Sequence, residues 1–257
     1  MTRLLDHLEG ARGGGRKLLV PYLMGGVPDR DAFPAAYAAV AAHADAVEVG
    51  LPFSDPLMDG PVIAAAAERA IAGGVGPLDA LDLEFPADAL RVAMTYYNPI
   101  HRTGEADFCA RAAKAGFSGL IVPDLPLEES GGLRAVAADA SLAWIPLVAP
   151  TTGPDRVARI AETCTGFVYA VSTLGVTGVR GSLSERARAV VERCRAATDL
   201  PVLVGIGVSN PDQAVAAAEE SDGVVVGSAV VSRLVEQGPE AASGFLSEVR
   251  TALDALS

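Results

Sequence analysis

Eight short apolar, β-branched runs spread along 257 residues, Ala-rich helical stretches following most of them, and no linker or repeat dividing the chain predict one domain, residues 1–257. The fold class these observations predict is α/β, a single (β/α)₈ TIM barrel with an extra N-terminal helix and an extended connection after the second strand. Runs that are apolar almost throughout are what strands covered on both faces require. The competing architecture is an open doubly wound sheet. It needs fewer strands and a Gly-rich GxGxxG turn after the first, whereas the first turn here reads MGGVPD (24–29).

The N-terminal segment TRLLDHLE reads as a short amphipathic helix, followed by a glycine link at 13–15. The first strand is LLVPYLM (18–24), followed by a helical stretch at 29–42. The second is DAVEVG (45–50), and the interval 51–90 behind it is longer than one loop and one helix, which marks it as functional. RVAMTYY (91–97) and GLIVPD (119–124) are strands three and four, followed by helices near 105–116 and 127–140. LAWIPLV (142–148), GFVYAVS (166–172), PVLVGIG (201–207) and GVVVG (223–227) complete the set. Helices follow at 153–164, 184–197, 210–220 and 229–235, with Ser184 and Asn210 placed as N-caps and Pro211 in a first turn. A last helix covers 239–253.

A formal net charge of −12 disfavours nucleic acid and anionic membrane surfaces as partners. No apolar run approaches the roughly 20 residues that cross a bilayer, and no secretory signal is evident, so the expected location is cytoplasmic. Cys109, Cys164 and Cys194 are scattered and odd in number, as are His7, His43 and His101, so neither a disulfide framework nor a metal site is expected. The cysteines read as buried apolar thiols.

In barrels, chemistry gathers at the C-terminal strand ends. Three Gly-containing turns fall there: GVTG (175–178), GIG (205–207) and GSA (227–229). Strand-to-helix sterics alone account for any one of them. Together, with Gly227 and Ser228 opening a helix, they favour a backbone cradle for phosphate. This also lets an acidic protein hold an anionic ligand. Glu48 stands near the end of the second strand, on the face of Ala46 and Gly50 and opposite Val47 and Val49. A carboxylate on that face is costly unless paired or catalytic, and a structural partner for it remains open at this level. The loop LPFSDPLMDGP (51–61) adds Asp55 and Asp59; Asp59, just before Gly60-Pro61, equally fits a helix cap.

VEVGLPFSDPLMDGP (47–61), PYLMGG (21–26), VPDLPLEES (122–130), STLGVTGVRG (172–181), GIGVSNPDQ (205–213) and VGSAVV (226–231) resemble the tryptophan synthase α-subunit family. The resemblance implies a carbon–carbon lyase that splits indole-3-glycerol phosphate into indole and glyceraldehyde 3-phosphate. It implies Glu48 as general acid/base and Asp59 as acceptor for the indole N–H. Tyr169 would shape the site, and Thr177 would sit on a closing loop that contacts Asp59. Gly178, Gly207, Gly227 and Ser228 match the phosphate-binding positions. Strand positions and the resemblance together offer Tyr22, Met94, Tyr96, Ile121, Leu147 and Val225 as walls for the indole. Tyr22 stands where the family often has Phe, Met58 where Ala is common, and Met94 and Ile121 replace Leu of some relatives. The family works in an α₂β₂ complex, with no cofactor on this chain and pyridoxal phosphate on the β subunit; the loops after strands two and six would lie near that contact. Lys17 and Lys114, the two lysines, carry no pyridoxal phosphate motif. Three alternatives remain: a free-standing indole-3-glycerol phosphate lyase, a catalytically silent activator of the β subunit, and another phosphate-binding barrel such as a sugar-phosphate isomerase.

Overall fold

The computed structural model describes residues 2–171, 185–205 and 207–256. Its strands are β1 (Leu18–Met24), β2 (Val47–Gly50), β3 (Arg91–Met94), β4 (Phe117–Ile121), β5 (Ala143–Trp144), β6 (Leu147–Val148), β7 (Val168–Val171), β8 (Val202–Gly205) and β9 (Gly223–Val226). Every pairing is parallel, in the order β5-β4-β3-β2-β1-β9-β8-β7-β6. The fifth predicted strand is thus two pieces, because Pro146 has no N–H to give to a ladder. One piece pairs with β4 and the other with β7. Ile145 N–H donates to Leu120 O and Tyr169 N–H to Pro146 O, so the chain itself closes the ring across the break. The expected eight-stranded barrel is therefore present, with one strand kinked.

Two apolar cores follow from the alternation of side chains along the strands. The inner one holds Leu18 and Val20 of β1, Val92, Ile121, Leu203 and Val225. Leu4 and Leu8 of α1 (Arg3–Gly13) join it, fully buried, so the expected N-terminal helix packs onto the barrel interior. Each such leucine stabilises the fold by about 1.5–3 kcal/mol. The outer core packs the opposite strand faces, such as Leu19, Leu23, Val47 and Val49, against the helices.

Helices α2 (Phe33–Ala41), α5 (Glu105–Lys114), α6 (Gly131–Asp139), α7 (Pro154–Ala161), α8 (Glu185–Ala197), α9 (Pro211–Glu220), α10 (Ser228–Gln237) and α11 (Pro239–Asp254) lie within a few residues of their predicted spans. Asn210 caps α9 by accepting from Gln213 N–H, with Pro211 in the first turn as expected; Ser184 lies outside the described residues. The helix expected within the long interval, for which the sequence marked no span, is α3 (Pro61–Ala72), while α4 (Tyr97–Thr103), directly after β3, was not anticipated. The third strand accordingly stops at Met94, short of the predicted 97, because the backbone turns at Tyr96 to cap α4.

At the opposite end of the barrel Asp45 accepts from Leu19 N–H and from Arg16 at 2.7 Å each, and from Arg250 of α11 at 3.2 Å. This buried carboxylate fastens the chain's last helix to the start of the barrel. The three thiols are buried, and burial pushes Cys109 and Cys194 up to about 11 and Cys164 to about 12, so they stay protonated.

Candidate active site

Glu48 is the second of the four residues of β2, between Val47 and Val49, which face the helices, and it is only 3% exposed. Among the described residues its Oε2 has no hydrogen-bond partner and no cation pairs with it, so the structural partner left open by the sequence is not found there. Burial, with a smaller contribution from the Asp59 charge, raises its pKa from 4.5 to about 8. Glu48 is therefore held protonated at neutral pH.

Two tyrosines enclose it. Tyr22 lies beside Glu48 in the β1–β2 register, and Tyr169 comes from β7. Each ring leans two residues up the neighbouring strand and lies over a glycine: Tyr22 over Gly50, Tyr169 over Gly205. A β-carbon at either glycine would run into the ring. Burial pushes both phenols well above the usual tyrosine range, and the Glu48 carboxyl raises them further, with Asp59 also acting on Tyr22. Gly205 thus makes room for an aromatic ring, a role its place in GIG did not announce. Gly205→Ala should destabilise the fold by about 1–3 kcal/mol through displacement of Tyr169, read as a lower denaturant midpoint.

Asp59 does not cap α3. Gly60 occupies that position, with no side-chain cap, and Pro61 opens the helix. The Asp59 carboxyl, partly buried, is raised by desolvation to about 6 and held from rising further by a hydrogen bond from Tyr96. Tyr96 was expected as a wall by its place in a strand; instead it stands at the start of α4 and its hydroxyl reaches the acidic loop, accepting from Met58 N–H at 3.0 Å. Phe53, unremarked in the sequence, stacks near it with centroids 5.4 Å apart. Its signal was the one aromatic in the turn-rich loop 51–61. Asp55, by contrast, is exposed, and its carboxylate accepts from the neighbouring Ser54 hydroxyl.

Removing the Tyr96 hydroxyl should raise the Asp59 pKa above about 6, so the anion would be lost at a higher pH. Tyr96→Phe is expected to reduce activity about tenfold near neutrality, with recovery at higher pH; a pH–rate profile with an unmoved acid limb would reject the contact's role.

Ile121 and Val225 are buried in the inner core, and Met94, Leu147 and Tyr169 are partly exposed against it, so these candidates do converge on the Glu48 side of the barrel. Gly227 follows β9 and is the N-cap position of α10, whose first residue Ser228 is exposed; Gly207 is exposed beyond β8 with open space where a β-carbon would sit. These three lie at the C-terminal strand ends, as an anion cradle requires. Thr177 and Gly178 lie outside the described residues. Among the described residues no group of three or more His, Cys, Asp or Glu side chains could hold a metal, and no helix is long and apolar enough to cross a membrane.

Residues 8–253 match the sequence profile of the family described as tryptophan synthase alpha chain. The chain is 43% identical over 260 residues to the tryptophan synthase alpha chain of Synechococcus elongatus, covering 99% of this chain and 98% of that protein. It is 46% identical over 244 residues to that of Streptomyces avermitilis, covering 93% and 88%. Among solved structures, tryptophan synthase from M. tuberculosis in its aminoacrylate- and BRD0059-bound form superposes with a TM-score of 0.89 at 39% identity, covering 98% of each chain. Tryptophan synthase subunit alpha from Legionella pneumophila gives 0.90 at 32% identity, covering 99% of each.

Proposed function

Because the chain belongs to the tryptophan synthase alpha chain family, we propose that it cleaves indole-3-glycerol phosphate to indole and glyceraldehyde 3-phosphate by a retro-aldol reaction. The observation that carries this reading is the unequal tuning of two neighbouring carboxyls, both raised by burial: Glu48 to about 8, Asp59 only to about 6. Pairs of acids whose surroundings separate their pKa values divide the work of acid and anion.

The cleavage needs a proton delivered to indole C3, which makes the ring an electrophilic indolenine. It then needs the glycerol C3′ hydroxyl to lose its proton as the C–C bond breaks and the aldehyde forms. Glu48, protonated at rest, supplies the first proton, and as the resulting carboxylate it takes up the second. Asp59 stays ionised at neutral pH, accepts the indole N–H and faces the positive charge that develops on the ring nitrogen. Met94, Tyr22, Ile121, Leu147, Tyr169 and Val225 form an apolar slot for the ring, with Thr177 closing over it. The phosphate is bound by backbone N–H groups of Gly178, Gly207, Gly227 and Ser228 and by the N-terminus of α10, which lets a chain of net charge −12 hold an anion.

The chain acts in the cytoplasm in an α₂β₂ assembly, with pyridoxal phosphate on the β subunit. Leu57 and Met58, 86% and 62% exposed at the tip of the acidic loop, support a partner there, since large apolar side chains seldom stand this far into water together. Indole release from indole-3-glycerol phosphate, measured with and without β subunit, tests the whole reading. Release that rises on adding β is the expected result; no release even with β defeats it, and equal release in both assays would mark a free-standing lyase.

A further inference from the structure

We propose that the outer flank of the barrel beside the start of β3 is a second ligand site, for a small organic anion with an apolar body. The long interval behind β2 builds it. After α3 the chain makes a short 3-10 turn at Asp79–Asp82 and then runs extended toward β3. That segment, β3 and the end of α5 line an open cleft of about 720 Å³.

Leu81, Leu83 and Phe85 give the cleft its apolar wall, and Arg91, Arg111 and Lys114 bring cations to it. Arg111 is neutralised by an ion pair with Asp82. Arg91 and Lys114 have no ion-pair partner among the described residues. Arg91 is held in place without a carboxylate: its guanidinium lies 4.5 Å from the Phe85 ring centre and 5.8 Å from that of Phe117, and it donates to Ala115 O at 2.9 Å. Among the described residues its Nε has no hydrogen-bond partner. A surplus of two positive charges therefore faces one cleft on a protein whose net charge is −12. Isolated cations on so acidic a surface would ordinarily find acidic neighbours, and two that do not, beside an aromatic wall, suit a carboxylate or phosphate monoester whose apolar part lies on Phe85. Arg91 begins β3 and Met94 ends it, which separates this cleft from the candidate active site by roughly 10 Å along the strand.

The full chain should be titrated with phenyl phosphate and, in parallel, 3-phenylpropionate, following backbone amide shifts. The expected result is shifts at residues 81–85 and 110–116 with at least one probe, and the probe that produces the larger shifts identifies the head group. Lys114→Ala, at an exposed position, should weaken binding about fivefold. Asp82→Asn, which frees Arg111, should tighten it about threefold. A purely structural Arg91 stack would give neither change. Shifts confined to residues 207, 227 and 228 would mean that the probes find only the phosphate cradle and would overturn the proposal. So would the absence of shifts, or an affinity indifferent to both substitutions.

Discussion

Glu48→Gln is expected to lower kcat for indole release roughly 10²–10⁴-fold while making the folded chain more stable at alkaline pH. The amide matches the carboxyl in shape and carries no transferable proton, so the loss falls on chemistry. The stability gain follows from linkage. The folded-state pKa of Glu48, about 8, lies above the ordinary 4.5, so the folded chain binds more protons than the unfolded chain between those values. Its contribution to stability is fully present below the unfolded pKa and is lost as pH rises through about 8. A glutamine at 48 cannot ionise, so the variant should lack that decline. Chemical denaturation at acid, neutral and alkaline pH, with indole release measured on the same samples, checks both halves. Unchanged cleavage would remove Glu48 from the acid/base role, and an unchanged pH-dependence of stability would show that it is not desolvated.

Asp59→Asn is expected to cost roughly 10²–10³-fold in kcat/KM, the scale on which one well-placed electrostatic contact acts in a transition state. It should also move Glu48. The Asp59 charge helps keep Glu48 protonated, so its removal lowers the Glu48 pKa and shifts the alkaline limb of the pH–rate profile toward lower pH. An Asp59 that served only the folding of its loop would leave that limb in place, which separates the electrostatic role from a structural one.

The barrel was legible because its strands are buried on both faces and announce themselves as apolar runs, and because helix caps such as Asn210 are chemically explicit. Strand ends were less so. Tyr96 and Tyr97 suit a strand by composition, yet the backbone turns into α4 at that point, which no local pattern marked against Pro99 inside the helix. Glu48 could be singled out from its face alone, but its protonation depends on burial that only the assembled barrel creates. The Asp59–Tyr96 contact spans 37 positions and has no signature in either segment; it arises because β2 and β3 are neighbours. Likewise Gly50 and Gly205 sit in contexts that suggest turns and anions, while the rings they accommodate come from adjacent strands.

The pairing of β1 with β9 sets an order on biosynthesis. Leu18 lies beside Gly223, held so closely that the glycine has no room for a side chain against the Leu18 backbone. One edge of β1 therefore stays unpaired while some two hundred further residues are made, and the ring can seal only when nearly the whole chain has left the ribosome. Until then the nascent protein carries an open edge on a seven-residue, mostly apolar strand, the kind of template on which chains aggregate. A slow C-terminal half, or truncation before residue 223, would leave that edge open for good.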